Sequence, residues 1–259
     1  MRGRRRYNPP VGLHDSLRRR LRRARTLRRD PGSGLLSYPA FGARIFVRSR
    51  EDFPYLEDVD WLCENVIFAR HLPGPGETVV DFGAGYGEAA AWLARRSPGV
   101  RYLGVEIQPS VYECLAHTLA GLGPEHRAFP LAVGSAGEVR IGSHRSYEKV
   151  GVDGAGPVAI PAVSWKEFVT RFRLDSIDLL KVNIEGGERD LLEAIDDFGP
   201  IRRVVVSAHD FRARRGEGEH YRTRAAVTAR LEAQGYRLSE FRLGKSWADD
   251  WIYAERSGA

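Results

Sequence analysis

The stretch Asp81-Phe82-Gly83-Ala84-Gly85-Tyr86-Gly87 constrains this chain more than any other. A short β-like run, Thr78 to Val80, precedes it, and an alanine-rich helical run, Glu88 to Arg96, follows. A strand ending in an acid, then glycines at alternate positions, then a helix, is how doubly wound α/β proteins bring backbone close to a nucleotide-like ligand. A Cβ at Gly83, Gly85 or Gly87 would occupy ligand space. The spacing separates cofactors. A dinucleotide site needs a third glycine three residues after the second, where this chain has Glu88, and it seats a pyrophosphate on the helix N-terminus. An acid beside the turn would repel that pyrophosphate and suits a cation. S-adenosylmethionine carries a sulfonium and an ammonium, so the turn predicts a methyl-donor site. Asp81 is expected to organise the turn and meet the methionine end.

Glu106 supports this assignment. It closes a second run, Tyr102 to Val105, 25 residues after Asp81. Such folds place a ribose-binding carboxylate at an offset of ~20 residues. Ile107 then offers apolar surface to one face of an adenine, with Ala132 and Val133 on the other side. Tyr86 is placed either to close over the cofactor or to pack on the first helix.

At 259 residues and 42% hydrophobic, the chain can bury a full core in one domain with appendages. Its two cysteines, Cys63 and Cys114, suit neither a disulfide framework nor a thiolate metal site, which points to a reducing cytoplasm. No apolar run approaches the ~18 residues that span a bilayer, and the basic N-terminus lacks the apolar centre of a signal peptide. A soluble, cytoplasmic protein is expected. The net charge of +6 is unevenly spread: residues 1–30 hold 12 Arg against Asp15 and Asp30, a balance of +10, which leaves the other 229 residues at −4.

Three regions are expected: a basic arm and linker over 1–34, an N-terminal segment over 35–76 packing on the core, and an S-adenosylmethionine-binding domain over 77–259. From His14 to Arg29 the pattern is helical, with Leu13, Leu17, Leu21 and Ala24 on one stripe among arginines. Such a helix suits RNA, an anionic membrane surface or a partner; as a solvated arm, or with its leucines docked on its own body, it needs none of these. Pro31-Gly32-Ser33-Gly34 reads as a linker. In 35–76 a strand is expected at Ala43–Val47 and a helix from Asp58 to Arg70. Alternating strands and helices then predict an α/β fold: a doubly wound, mostly parallel, seven-stranded Rossmann-like sheet. Its strands are expected at 78–82, 101–107, 128–133, 177–183 and 201–207, with helices at 86–96, 109–121, 188–195 and 223–234. A terminal hairpin, Tyr236–Leu243 with Trp251–Ala254, would add an antiparallel edge.

Ligands of open α/β sheets sit beyond the carboxyl ends of the strands. That rule selects Asp81, Glu106, Asn183 with Glu185, and Ser207 to Asp210. Ile177-Asp178-Leu179-Leu180-Lys181-Val182-Asn183-Ile184-Glu185-Gly186-Gly187-Glu188 crowds polar groups into the end of a buried strand, where each needs a partner or an open site. Lys181 is expected to pair with Glu185 or Glu188, Glu188 to cap the next helix, and Asn183 and Glu185 to face the site. His209 is the expected general base with Glu185 second. Tyr147, His220, Trp247 and Trp251 lie where they could wall an acceptor pocket. No His, Asp and Glu cluster has convincing metal spacing, so no metal is expected.

The segment Ile177–Glu188 is similar to the strand-four motif of the FkbM-like methyltransferases. The resemblance extends to the turn at 81–87, to Glu106 and, more weakly, to Phe46-Val47-Arg48, Asp52 and the Trp251–Ala254 end. It spans residues 44–254 and implies a Class I fold and S-adenosylmethionine-dependent methylation, most often of a hydroxyl on a sugar or natural product. Asn183 departs from the family, which usually has Asp there, and an amide cannot act as a base. A small-molecule O-methyltransferase is the leading expectation. An RNA methyltransferase gripping through residues 1–30 and a non-catalytic cofactor-binding scaffold are the alternatives. An oligomer is compatible with the sequence.

Overall fold

The computed structural model describes residues 26–54, 56–134, 137–141 and 157–256. Residues 1–25, which carry most of the expected basic helix, and Tyr147 lie outside the described residues.

Arg28–Arg29 (β1), Leu36–Ala40 (β2) and Ala43–Val47 (β3) form a three-stranded antiparallel sheet. Phe41 and Gly42 join β2 to β3 with φ of 52° and 81°, the positive pair that a two-residue hairpin turn needs to match strand twist. Arg28 and Arg29, expected at the end of a helix, pair instead with Ser37 and Leu36. The expected linker is a hydrogen-bonded turn: Asp30 accepts from the backbone and hydroxyl of Ser33, both at 2.9 Å. Leu56–Leu62 (α1) runs on as a π-helical turn over Cys63–Ile67, shorter than the expected helix to Arg70.

Alternation along the next strands builds the main sheet. Thr78–Phe82 (β4) leads through the glycine turn to Glu88–Arg96 (α2), Arg101–Val105 (β5) and Pro109–Ala120 (α3), whose N1 proline presets the first turn. His126–Phe129 (β6) follows. The expected strand over 128–133 breaks at Pro130, which has no N–H to give a ladder. Its second half, Ala132–Val133 (β7), joins Gly137–Ile141 (β8) and Val158–Val163 (β9) in a separate sheet of order β7-β9-β8. Trp165–Phe172 (α4) begins at Ser164, whose hydroxyl accepts from the Glu167 N–H at 3.1 Å. Leu179–Val182 (β10), Glu188–Ala194 (α5), Arg203–Ser207 (β11) and the unanticipated short helix Asp210–Arg214 (α6) lead to Arg224–Ala233 (α7). Tyr236–Glu240 (β12), a short helix at Ser246–Asp249 (α8) and Trp251–Arg256 (β13) complete the described chain.

The seven-stranded sheet has the order β12-β13-β11-β10-β4-β5-β6. Only β13 runs against its neighbours; the expected terminal hairpin of β12 and β13 extends the sheet, with β13 one place in from the edge and β12 pairing on its outer side. Period-two alternation buries both faces. Val80, Phe82, Leu180, Val182, Val204 and Val206 pack with α4, α5 and α7 on one side. Val79, Leu179, Tyr102 and Val205 pack with α2 and α3 on the other. The β1–β3 sheet closes the outer side of α2 and α3 through Tyr38, Ile45, Phe46 and Val47, which meet Tyr86, Ala91 and Val111.

Candidate functional site

The parallel register sets Lys181 of β10 opposite Asp81 of β4, on one face of the sheet. Lys181 Nζ lies 2.5 Å from Asp81 Oδ1 and 3.1 Å from the Gly83 carbonyl. Tyr102, on the same face of β5, donates its hydroxyl to the other Asp81 oxygen. Burial, then the Asp81 charge, push the Tyr102 phenol well above its usual range, so it remains a donor. Asp81 is fully buried and does not line the cavity. This corrects two expectations. Lys181 pairs with Asp81 rather than with Glu185 or Glu188, and Asp81 is enclosed under the turn instead of meeting the methionine end.

Beyond the ends of β4, β5 and β10 lies a cavity of about 600 Å³. Gly83 and Gly85 line it, with φ of 78° and 57°. A Cβ on Gly83 would stand 2.0 Å from the Asn183 carbonyl oxygen, so β4 and β10 approach here only because the side chain is absent. Tyr86 and Gly87 do not line the cavity. Tyr86 is buried against Tyr38, Phe46 and Val111, and a Cβ on Gly87 would meet Thr118 Cγ2 at 3.0 Å. The third glycine serves helix packing, and the tyrosine belongs to the core.

Glu106 opens onto the cavity. Its Oε1 accepts from the Gln108 N–H at 3.0 Å and its Oε2 from the Gly85 N–H at 3.2 Å. Burial pushes its carboxyl up to about 7, although both N–H groups pull the other way. Ile107, Ala132 and Val133 line the cavity, joined by Leu131 and Val139. A carboxylate between two backbone donors, beside an apolar slot and bare glycine backbone, fits a ribose, an adenine and a close-lying chain. The residues present fit S-adenosylmethionine.

Asn183 and Glu185 line the opposite wall. Glu185 adopts φ 56°, a left-handed conformation that costs a non-glycine residue about 1 kcal/mol or more. Arg212, on α6, donates to Glu185 Oε2. His209 also adopts a positive φ, 54°, as the N-cap of α6, and it is buried outside the cavity. Its Nδ1 lies 2.8 Å from Glu188 Oε1 and its Nε2 lies 3.3 Å from Glu185 Oε1. Burial alone would lower its pKa, but hydrogen bonds and charge from Glu185 and Glu188 outweigh it and hold it at about 10. A ring kept protonated at neutral pH has no lone pair to accept a proton, so His209 does not fit the expected role of general base.

Glu188 does not cap its own helix in the simple sense expected. It accepts from the Ile184 and Gly186 N–H groups at 3.2 Å and so ties the turn before α5. Trp251 is buried in the core, Trp247 packs edge-on against Trp61, and exposed His220 stacks on Tyr221, so none of the three walls the cavity. Sequence reasoning missed Arg212, and it missed Asp190 and Glu193, which share one face of α5 and line the mouth. Their three-residue spacing after Gly187 was the available signal.

Residues 81–238 match the family described as Methyltransferase FkbM domain. Among solved structures, the METTL16 methyltransferase domain in its second crystal form is similar with a TM-score of 0.52 at 12% identity, over 95% of this chain and 92% of that one. Aeropyrum pernix fibrillarin in complex with natively bound S-adenosyl-L-methionine gives 0.45 at 14% identity, over 88% and 97%. Precorrin-6y C5,15-methyltransferase from Geobacter metallireducens gives 0.46 at 12% identity, over 81% and 92%. At 12% identity the likeness to the METTL16 domain speaks to fold alone. No curated protein matches the chain.

Proposed function

The chain belongs to the FkbM methyltransferase family and is an S-adenosylmethionine-dependent methyltransferase, and from that premise we propose that it methylates a hydroxyl of a small molecule. The observation that carries this reading is the sign of the cavity lining. Among the described residues Glu106, Glu138, Glu185, Asp190 and Glu193 all reach it, and no described Lys, Arg or His does. A nucleic-acid backbone would meet repulsion at such a mouth, whereas a polyhydroxylated neutral molecule finds acceptors there.

Glu106 would hold the ribose hydroxyls, Ile107 and Ala132 would flank the base, and Gly83 and Gly85 would let the backbone lie close. S-adenosylmethionine held there would supply an electrophilic methyl group to the acceptor oxygen, leaving as S-adenosylhomocysteine. The apolar lining of the cavity limits water there, and holding the acceptor oxygen in place would lower the barrier most. Glu185 is the carboxylate positioned to take the hydroxyl proton, at Oε1 or Oε2. Asn183 orients the acceptor through its amide and moves no proton.

The test is methyl transfer from labelled S-adenosylmethionine to a panel of sugars and hydroxylated natural products, and to tRNA, with the full chain and with residues 1–25 deleted. Product on a small acceptor, retained after the deletion, is the expected result. Turnover on tRNA alone, lost with the deletion, would establish the RNA reading instead. Cofactor binding with no product anywhere would make the protein a scaffold.

A further inference from the structure

Five charged side chains meet where the segment after β11 folds over the turn after β10. Glu185 comes from the turn and Glu188 from the start of α5; His209, Arg212 and Glu217 come from the covering segment. The arrangement is directional. Glu188 is fully buried and fixed by the Ile184 and Gly186 N–H groups, so it is the anchor. The Thr223 hydroxyl lies between Glu188 Oε2, at 3.2 Å, and the Ala208 carbonyl. Only Glu185 has a side reaching the cavity.

Both nitrogens of the His209 ring face carboxylate oxygens. A neutral imidazole would turn its single lone pair toward one of them, so this geometry is satisfied only by a ring that donates at both positions. Arg212 holds the other Glu185 oxygen, packs its guanidinium 4.0 Å over the Tyr221 ring and bonds Glu217 at 2.9 Å. The charged and titratable groups facing His209 are therefore Glu185, Glu188, Arg212 and Tyr221, with Phe211 completing its surround. Two left-handed residues, Glu185 and His209, meet across this contact, and strain of that kind persists where surrounding structure enforces it.

The geometry points to His209 as a positioning residue: its doubly donating ring bridges the buried Glu188 to Glu185 and, with Arg212, aims the Glu185 carboxylate at the acceptor. The role rests on the proposed proton acceptance by Glu185. Two fixed donors leave the carboxylate one approach to the cavity and exclude rotamers that would point it into solvent.

If His209 acts through Glu185, their effects on turnover cannot add. H209A and E185A should each lower kcat by about tenfold or more, with S-adenosylhomocysteine affinity within about twofold of wild type. The double variant should be no slower than E185A within about twofold. The acceptor is whichever panel member gives turnover with wild type. Independently of any acceptor, 15N NMR of the full chain should show both His209 nitrogens protonated at pH 7.5. In E188Q the ring should titrate at a lower pH. Multiplicative losses in the double variant, wild-type turnover in H209A, or a neutral His209 ring at pH 7.5 would each overturn the positioning role. Full turnover in E185A would overturn the proton-acceptor reading, and this inference with it. A dead E185A beside an active H209A would sink the inference alone.

Discussion

Replacing Glu106 with glutamine removes one charge and keeps the side-chain shape. Each carboxylate oxygen accepts a backbone N–H, from Gln108 at 3.0 Å and Gly85 at 3.2 Å. An amide must turn its NH2 toward one of those donors, so the variant loses one internal bond as well as the charge offered to the ribose. Hydrogen bonds to a charged group contribute about 1.5–3 kcal/mol, which corresponds to a loss of about 10- to 150-fold in affinity. The pH dependence is the sharper test. Burial holds the Glu106 carboxyl up at about 7 in the unliganded protein. Hydroxyl donors favour its ionised form, so binding strengthens as pH rises through 7. At pH 6 about a tenth of the molecules carry the carboxylate, which weakens apparent affinity about tenfold relative to pH 8. The effect on the unliganded fold has the opposite sign. A carboxyl raised from 4.5 to about 7 contributes its stability in full below 4.5 and loses it as the pH climbs through 7. Isothermal titration of S-adenosylhomocysteine at pH 6, 7 and 8 should show the tenfold change in wild type beyond any seen in E106Q. Parallel profiles in the two proteins, or undiminished affinity in the variant, would refute the ribose assignment.

Three further outcomes are expected. Gly83→Ala should destabilise by more than about 3 kcal/mol, since a left-handed alanine costs about 1–2 kcal/mol before the backbone clash, and cofactor binding should fall with it. Gly87→Ala, which meets only side-chain ends at 3.0–3.1 Å, should cost less; equal denaturant midpoints would contradict this ordering. Lys181→Ala leaves Asp81 buried and unpaired, at a cost of about 3–5 kcal/mol in chemical denaturation, while K181M/D81L should recover much of that loss. No gain in the double variant would argue against the pair. Thermal melts should show an alkaline loss of stability: His209 is raised from 6.5 to about 10, so its contribution is complete below 6.5 and is lost as pH rises through 10. E188Q should narrow that window, and an unaltered melting profile would count against the buried imidazolium.

The sheet was legible because its evidence is local. Apolar runs ending in Asp81, Glu106 and Asn183, separated by helical periods, give the element order, and Gly83 and Gly85 mark where bare backbone lines the cavity. Glu106, Ile107 and Ala132 reach the cavity for the same reason, each standing at or just past a strand end. The partner of Asp81 was illegible, since Lys181 lies 100 residues away and meets it only through the β4–β10 register. His209 illustrates a second limit. A histidine after a strand suggests a base, but its protonation depends on Glu185 and Glu188 converging from another loop. Tyr86 shows a third: its place in the glycine turn is local, whereas its burial depends on Tyr38 and Phe46 in a separate sheet.

The inward place of β13 has a consequence for how the fold is reached during synthesis. Tyr236–Glu240 emerges from the ribosome before Trp251–Arg256, yet it has no hydrogen-bonding neighbour until that later strand threads between it and Arg203–Ser207. Until then the nascent chain carries an open ladder along Arg203–Ser207 and an orphan strand beside it, the kind of exposed backbone that recruits chaperones or a second nascent copy. Translation pausing over the codons for Trp251–Arg256 would lengthen that exposure, and haste there would protect the protein.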